Sequence, residues 1–182
     1  MKKVTLLGDS IRLIGYGTKV PELLGDEYEV YQPDDNCRFV KYTLRMLFDL
    51  REQIQGSDVI HWNNGLWDIS TGLFDDGVAF TSEEEYVENM LRVAKELKKL
   101  GKRIIFATIT PVHPEYPYNK NSVIKRYNDV IVPKLMEMGV EINDLYSAVS
   151  QDIYKYICSD QLHLSEEGIE LCSKMVVKAI KG

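Results

Sequence analysis

Apolar residues in this chain fall either in short uninterrupted runs of strand length or in longer stretches with helical spacing. Val4 to Leu7 carries no charge and reads as a strand covered on both faces, as in a parallel sheet flanked by helices. Tyr28–Tyr31, Asp58–Trp62, Arg103–Thr108 and Val140–Asp144 read as four further strands. Leu44, Leu47, Leu50 and Ile54 predict a helix over Val40 to Ile54. Ser82-Glu83-Glu84-Glu85 is a capping-box pattern, and the stripe from Val87 to Leu100 ends at Gly101. A further stripe, Ile124, Tyr127, Ile131 and Leu135, predicts a helix kinked at Pro133 and ended by Gly139. Ser165-Glu166-Glu167 opens the last helix, with Ile169, Cys172, Met175, Val176 and Ile180 inward.

Between these elements, Ile11 to Leu24 reads as a loop or short helix, Ser70 to Thr81 as a loop, and Leu145 to Tyr156 as a short helical connection. Thr110 to Tyr118, with three prolines, reads as a stiff irregular segment. Strands alternating with helices predict a three-layer α/β/α sandwich around a five-stranded parallel sheet of flavodoxin-like order 2-1-3-4-5.

At 182 residues the chain fits one domain, 1–182, able to bury a sizeable core. Hydrophobic residues at 45% and charged residues at 27% are globular values, and no apolar run reaches the ~20 residues that span a bilayer. Asp9 and Arg12 interrupt the N-terminal apolar stretch before it attains signal-peptide length, so a cytoplasmic protein is expected. Cys37, Cys158 and Cys172 lack paired metal spacing and read as reduced thiols. The net charge of -6, without a basic cluster, argues against nucleic acid as a partner.

Candidate chemistry lies at the two ends of the chain. Gly8-Asp9-Ser10 follows the first strand, so Ser10 lands just beyond a carboxyl end, where open α/β sheets place their ligand crevice. A serine there also serves as a turn or helix cap. Near the other end, Asp160-Gln161-Leu162-His163 places a carboxylate three residues before an imidazole. A serine hydroxyl needs such a base, and the base needs a group that fixes its tautomer. The plain alternative is a turn-capping Asp160 and a surface His163. Asn63-Asn64-Gly65 follows the third strand and reads equally as amide donors to an oxyanion or as turn chemistry. His61, in mid-strand, reads as a satisfied core histidine. His113 competes with His163 as a base but lacks an Asp-x-x-His partner.

The Gly-Asp-Ser turn and the Asp-x-x-His together resemble the SGNH (GDSL-like) hydrolase family, with Ser10, Asp160 and His163 at the triad positions. The resemblance implies a serine esterase or acylhydrolase with the sheet order given above. It also implies an oxyanion hole from the serine N–H, a glycine N–H after strand two and an asparagine in a Gly-x-Asn-Asp motif after strand three. Here Lys41 falls at the glycine and Trp67, in Gly65-Leu66-Trp67-Asp68, at the asparagine. Asn63 or Asn64 supplies the missing amide, or Trp67 offers its indole N–H, or the hole is one donor short. Asn64 is the choice carried forward.

The resulting expectation is acyl transfer to water from a small ester, acetyl on a carbohydrate by preference, without metal or organic cofactor. The donors would be the N–H groups of Ser10 and Lys41 and an amide of Asn63 or Asn64. Asp9, Arg38, Trp67 and His113 are taken as substrate-binding candidates. Trp62, Trp67, Tyr116 and Tyr118 are the aromatic residues that would meet a sugar face. Competing readings are a lysophospholipase- or thioesterase-like acyl hydrolase, a metal-dependent hydrolase using Asp9, Asn64, His61 or His163, and a non-catalytic sugar-binding relative.

Overall fold

A computed structural model describes residues 1–182. Five parallel strands form one sheet in the order β2-β1-β3-β4-β5: β1 Lys2–Leu7, β2 Tyr28–Tyr31, β3 Ser57–Trp62, β4 Gly101–Ala107 and β5 Glu141–Asn143. The order is the one the alternation predicts. Central β1, β3 and β4 each finish in four consecutive buried residues, as strands covered on both faces require.

Eight α-helices flank the sheet: α1 Val20–Leu24, α2 Val40–Asp49, α3 Arg51–Ile54, α4 Glu83–Leu100, α5 Asn121–Glu137, α6 Leu145–Val149, α7 Ile153–Tyr156 and α8 Glu166–Lys181. Helices α2, α4 and α5 pack in sequence as one group, and α1, α6 and α7 pack on α8 as the other. The long helix predicted over Val40 to Ile54 is divided at Leu50, whose φ of -102° and ψ of 14° leave the helical region. Helix α5 runs from Asn121 to Glu137 with Pro133 inside it. The segment after Ser10 is a π-helical turn, Ile11–Gly15, a 3₁₀ turn, Tyr16–Thr18, and then α1.

Forty-one buried hydrophobic residues form one contiguous cluster from Val4 to Ile180. Ser82 and Ser165 cap α4 and α8 by accepting from the Glu85 and Gly168 N–H groups, as the sequence pattern anticipates. No helix is long and apolar enough to cross a membrane.

Candidate active site

Parallel register brings Leu7 beside Trp62, so the chain leaves β1 at Gly8 directly against Asn63 leaving β3. A Cβ on Gly8 would stand 1.9 Å from Asn63 Oδ1, and only glycine permits this approach. Asp9, 1% exposed, accepts from the Ile11 N–H at 2.9 Å and Asn63 Nδ2 at 2.8 Å. Burial raises its pKa, opposed by the Asn63 hydrogen bond. These bonds shape the turn so that Ser10 remains half-buried at the cavity while Asp9 points inward.

Arg12 is the buried cation that holds this turn to the segment after β2. Its Nη1 donates to the Pro33 carbonyl at 2.7 Å, and Nη2 donates to the carbonyls of Gly8 and Asp35 at 3.2 and 2.8 Å. The sequence shows Arg12 only as an interruption of an apolar stretch; its burial is a tertiary fact.

The opposite wall is a self-contained loop. Cys158 N donates to the His163 carbonyl at 2.8 Å and Ile157 bridges Leu164, closing the chain on itself. Gln161, at φ 70°, takes the left-handed conformation that the tight reversal needs. Asp160 Oδ1 then accepts from the N–H groups of Leu162 and His163, both at 2.9 Å, and from Cys158 Sγ at 3.1 Å. Asp160 Oδ2 stands 2.6 Å from His163 Nδ1. Burial works to raise the Asp160 pKa, but the donors from His163, Leu162 and Cys158 outweigh it and hold the carboxyl well below its ordinary range.

An ionised Asp160 can meet Nδ1 only if that nitrogen carries the proton, which leaves Nε2 as an acceptor. Nε2 lies 2.8 Å from Ser10 Oγ, across 153 residues of sequence. The three sequence-predicted residues Ser10, His163 and Asp160 thus form one hydrogen-bonded chain. His113 does not join it: its ring packs edge-on to Tyr154 at 4.9 Å, although its backbone N–H donates to the Gln161 carbonyl at 2.9 Å and steadies the loop. His61 is fully buried, 3.2 Å from Asn143 Nδ2, with its pKa lowered to about 3 by burial.

The asparagines after β3 correct the sequence expectation. Asn63 Oδ1 accepts from Tyr16 Oη at 2.7 Å while its Nδ2 serves Asp9. Asn64 Oδ1 accepts from Trp62 Nε1 at 2.9 Å and its Nδ2 donates to the Arg38 carbonyl at 3.0 Å. Neither lines the cavity at Ser10, because buried partners already draw both amides inward. Asp9, Arg38 and His113, expected as substrate contacts, are likewise absent from the cavity lining, Asp9 through its buried hydrogen bonds and the other two through their aromatic neighbours. Arg38 stacks its guanidinium 4.7 Å over Tyr42 and faces Asp35. Trp62 is fully buried against Phe106, so it meets no ligand.

Lys41 occupies the first turn of α2, where backbone N–H groups have no intrahelical acceptor, and its side chain pairs with Glu85. That turn is fixed by buried Asp68, which accepts from the Val40 N–H at 3.0 and 3.2 Å and from Thr81 Oγ1 at 2.8 Å. Burial raises the Asp68 pKa to about 7 against these hydrogen bonds. Trp67 does line the cavity, together with Ser10, Asn36, Tyr116, Tyr118 and His163. Leu73 and Phe80, from the loop before α4, join that wall, which the sequence reading missed although their apolar character in a loop was visible.

No protein-family model matches the chain. Over 112 residues it is 32% identical to the GDSL esterase/lipase CPRD49 of Arabidopsis thaliana, covering 53% of this chain and 44% of that protein. Over 113 residues it is 29% identical to the GDSL esterase/lipase WDL1 of Oryza sativa subsp. japonica, covering 54% and 44%. The chain therefore spans less than half the length of these plant relatives. Among solved structures, a lipase/acylhydrolase from Enterococcus faecalis superposes with a TM-score of 0.79 at 22% identity, over 100% of this chain and 96% of that one. The acetylxylan esterase Axe2 from Geobacillus stearothermophilus superposes with a TM-score of 0.79 at 17% identity, over 100% and 94%. In matched sequence the chain is similar to GDSL esterase/lipases, and in fold it is similar to a lipase/acylhydrolase and an acetylxylan esterase.

Proposed function

We propose that the chain hydrolyses small carboxylic esters through Ser10, His163 and Asp160. The observation that carries the proposal is the 2.8 Å contact between His163 Nε2 and Ser10 Oγ, with Nδ1 held by Asp160. Ser10 Oγ attacks the ester carbonyl as its proton passes to Nε2. This reading assigns the tetrahedral oxyanion to the Ser10 N–H and to the Lys41 N–H in the open first turn of α2, although Lys41, like Asn63 and Asn64, is not among the residues lining the cavity. Collapse expels the alcohol, which takes the proton from Nε2, and water repeats the sequence on the acyl-enzyme. No step calls for a metal or organic cofactor. The metal-dependent alternative loses support because Asp9, Asn64, His61 and His163 each already serve the partners described above.

Within this proposal an ester with an apolar acyl chain, suited to the largely hydrophobic lining, competes with a second candidate, an acetylated carbohydrate. The latter rests on the aromatic Trp67, Tyr116 and Tyr118 at the cavity and on the likeness in fold to acetylxylan esterases. We likewise treat residues 1–182 as one domain, on its single core cluster, and place it in the cytoplasm on its three free thiols. The test is hydrolysis of an aryl acetate by wild type and by Ser10→Ala. Loss in the variant supports the mechanism, and equal activity in both removes Ser10 from it. Ligand binding by a wild type that hydrolyses no ester would select the non-catalytic reading.

A further inference from the structure

The cavity beside Ser10 is not built for a sugar. It measures about 620 Å³, and ten of its fifteen lining residues are hydrophobic. Besides Ser10 and His163 its polar side chains are Asn36, Ser70 and Asn119, with the Tyr116 and Tyr118 hydroxyls and the Trp67 indole N–H as single polar tips on largely apolar rings. Ser70 and Asn119 are already paired: Ser70 Oγ contacts Asn119 Oδ1 at 2.9 Å, and Asn119 Nδ2 donates to the Leu66 carbonyl at 2.8 Å. Asn36 Oδ1 accepts from the Arg38 N–H at 2.7 Å. Sugar hydroxyls entering here would give up water and find few partners, a cost of about 1–3 kcal/mol for each unsatisfied group.

The apolar wall, by contrast, waits exposed. Ile14, Leu73, Phe80, Trp67 and Tyr118 are 55, 47, 46, 44 and 44% exposed although all line one trough that includes Ser10. Adjacent apolar side chains left open at a site mark a surface that is covered by ligand. The loop supplying Leu73 and Phe80 is anchored at both ends. Thr71 N donates to the Tyr118 carbonyl at 2.9 Å, and Phe80 N and Thr81 N donate to the carbonyls of Ser70 and Asp68 at 2.9 and 2.8 Å. The wall is therefore a fixed part of the site.

We infer that this trough binds the acyl chain of the ester, so that the preferred substrates carry a medium-length apolar acyl group rather than acetate on a carbohydrate. The inference rests on the ester-hydrolase reading of the same site. A buried methylene contributes about 0.8 kcal/mol, equivalent to about fourfold in kcat/KM per carbon while the chain stays inside the trough.

The experiment measures kcat/KM for aryl esters from acetate to decanoate, and for acetylated xylose, with wild type, Phe80→Ala and Leu73→Asp. The expected result is a rise of about fourfold per methylene beyond acetate, an optimum at medium length, and a lower octanoate-to-acetate ratio in both variants. A flat or falling series in wild type, a preference for acetylated xylose, or an unchanged ratio in both variants overturns it. In parallel, Ser10→Ala, which cannot turn over, is titrated with aryl octanoate and with acetylated xylose while tryptophan fluorescence reports on Trp67. Saturable binding of octanoate alone supports the trough, and binding of the xylose ester alone overturns it. Octanoate binding by a wild type that hydrolyses no ester would sink the hydrolase reading while leaving the trough as a chain-binding site.

Discussion

The loop carrying Asp160 and His163 and the turn carrying Asn63 and Asn64 both sit at the site end of the sheet, yet they are built in opposite ways. The first makes its geometry from within. One carboxylate caps two N–H groups of its own turn and orients the ring three residues on, leaving to the rest of the fold the approach to Ser10 and one brace from the His113 backbone N–H. The second is made from outside, by Tyr16, Asp9, Trp62 and the Arg38 carbonyl, which draw both amides into the protein. A local motif keeps its meaning when read from sequence. A residue whose partners are distant takes whatever role those partners leave it.

The sharpest way to break this contrast is to remove the imidazole. His163→Ala is expected to lower kcat by about 10⁶ and Asp160→Asn by about 10⁴, read from initial rates with an aryl ester. An Asp160→Asn variant with near wild-type kcat would show that the loop's self-contained geometry has no catalytic meaning. On the other wall, Trp67→Asn places an amide where the SGNH pattern has one. It should raise kcat on aryl acetate, by up to about 10²-fold, if the site is one donor short.

Asn63→Leu should act on stability. It removes the amide donor to Asp9 and the acceptor of the Tyr16 hydroxyl, and a loss of about 1–3 kcal/mol for each is expected from the urea midpoint. If Asn63→Leu instead kept full stability and lost kcat, the asparagine would return to the oxyanion hole. A last test concerns pH. Burial raises the Asp68 pKa in the folded state to about 7, well above the ordinary carboxylate range, so the folded state holds a proton that the unfolded chain has released. Stability from this group is full below pH 4, falls as pH rises toward 7 and is flat beyond, with a slope of about 1.4 kcal/mol per pH unit. Asp68→Asn should remove that slope in urea titrations repeated between pH 5 and 8.

The sheet order and the residues that meet at Ser10 were legible before any coordinates. Buried strands and amphipathic helices announce themselves by periodicity, and Asp-x-x-His specifies its own hydrogen bonds within four residues. Gly8-Asp9-Ser10 at a strand end and Asp160 through His163 before the last helix had only to be carried to the same edge of a parallel sheet. The division of α2 from α3 at Leu50 escaped because the apolar stripe continues across it.

What tertiary structure alone decided was the wall of the site. Asn63, Asn64, Asp9 and Arg12 are polar residues at a strand end, and sequence cannot say whether such groups face a ligand or the core. Their direction depends on hydrogen bonds to residues brought near only by folding. Leu73 and Phe80 became part of a trough for the same reason: apolar side chains in a loop acquire a role only when the chain that anchors the loop sets them beside Ser10.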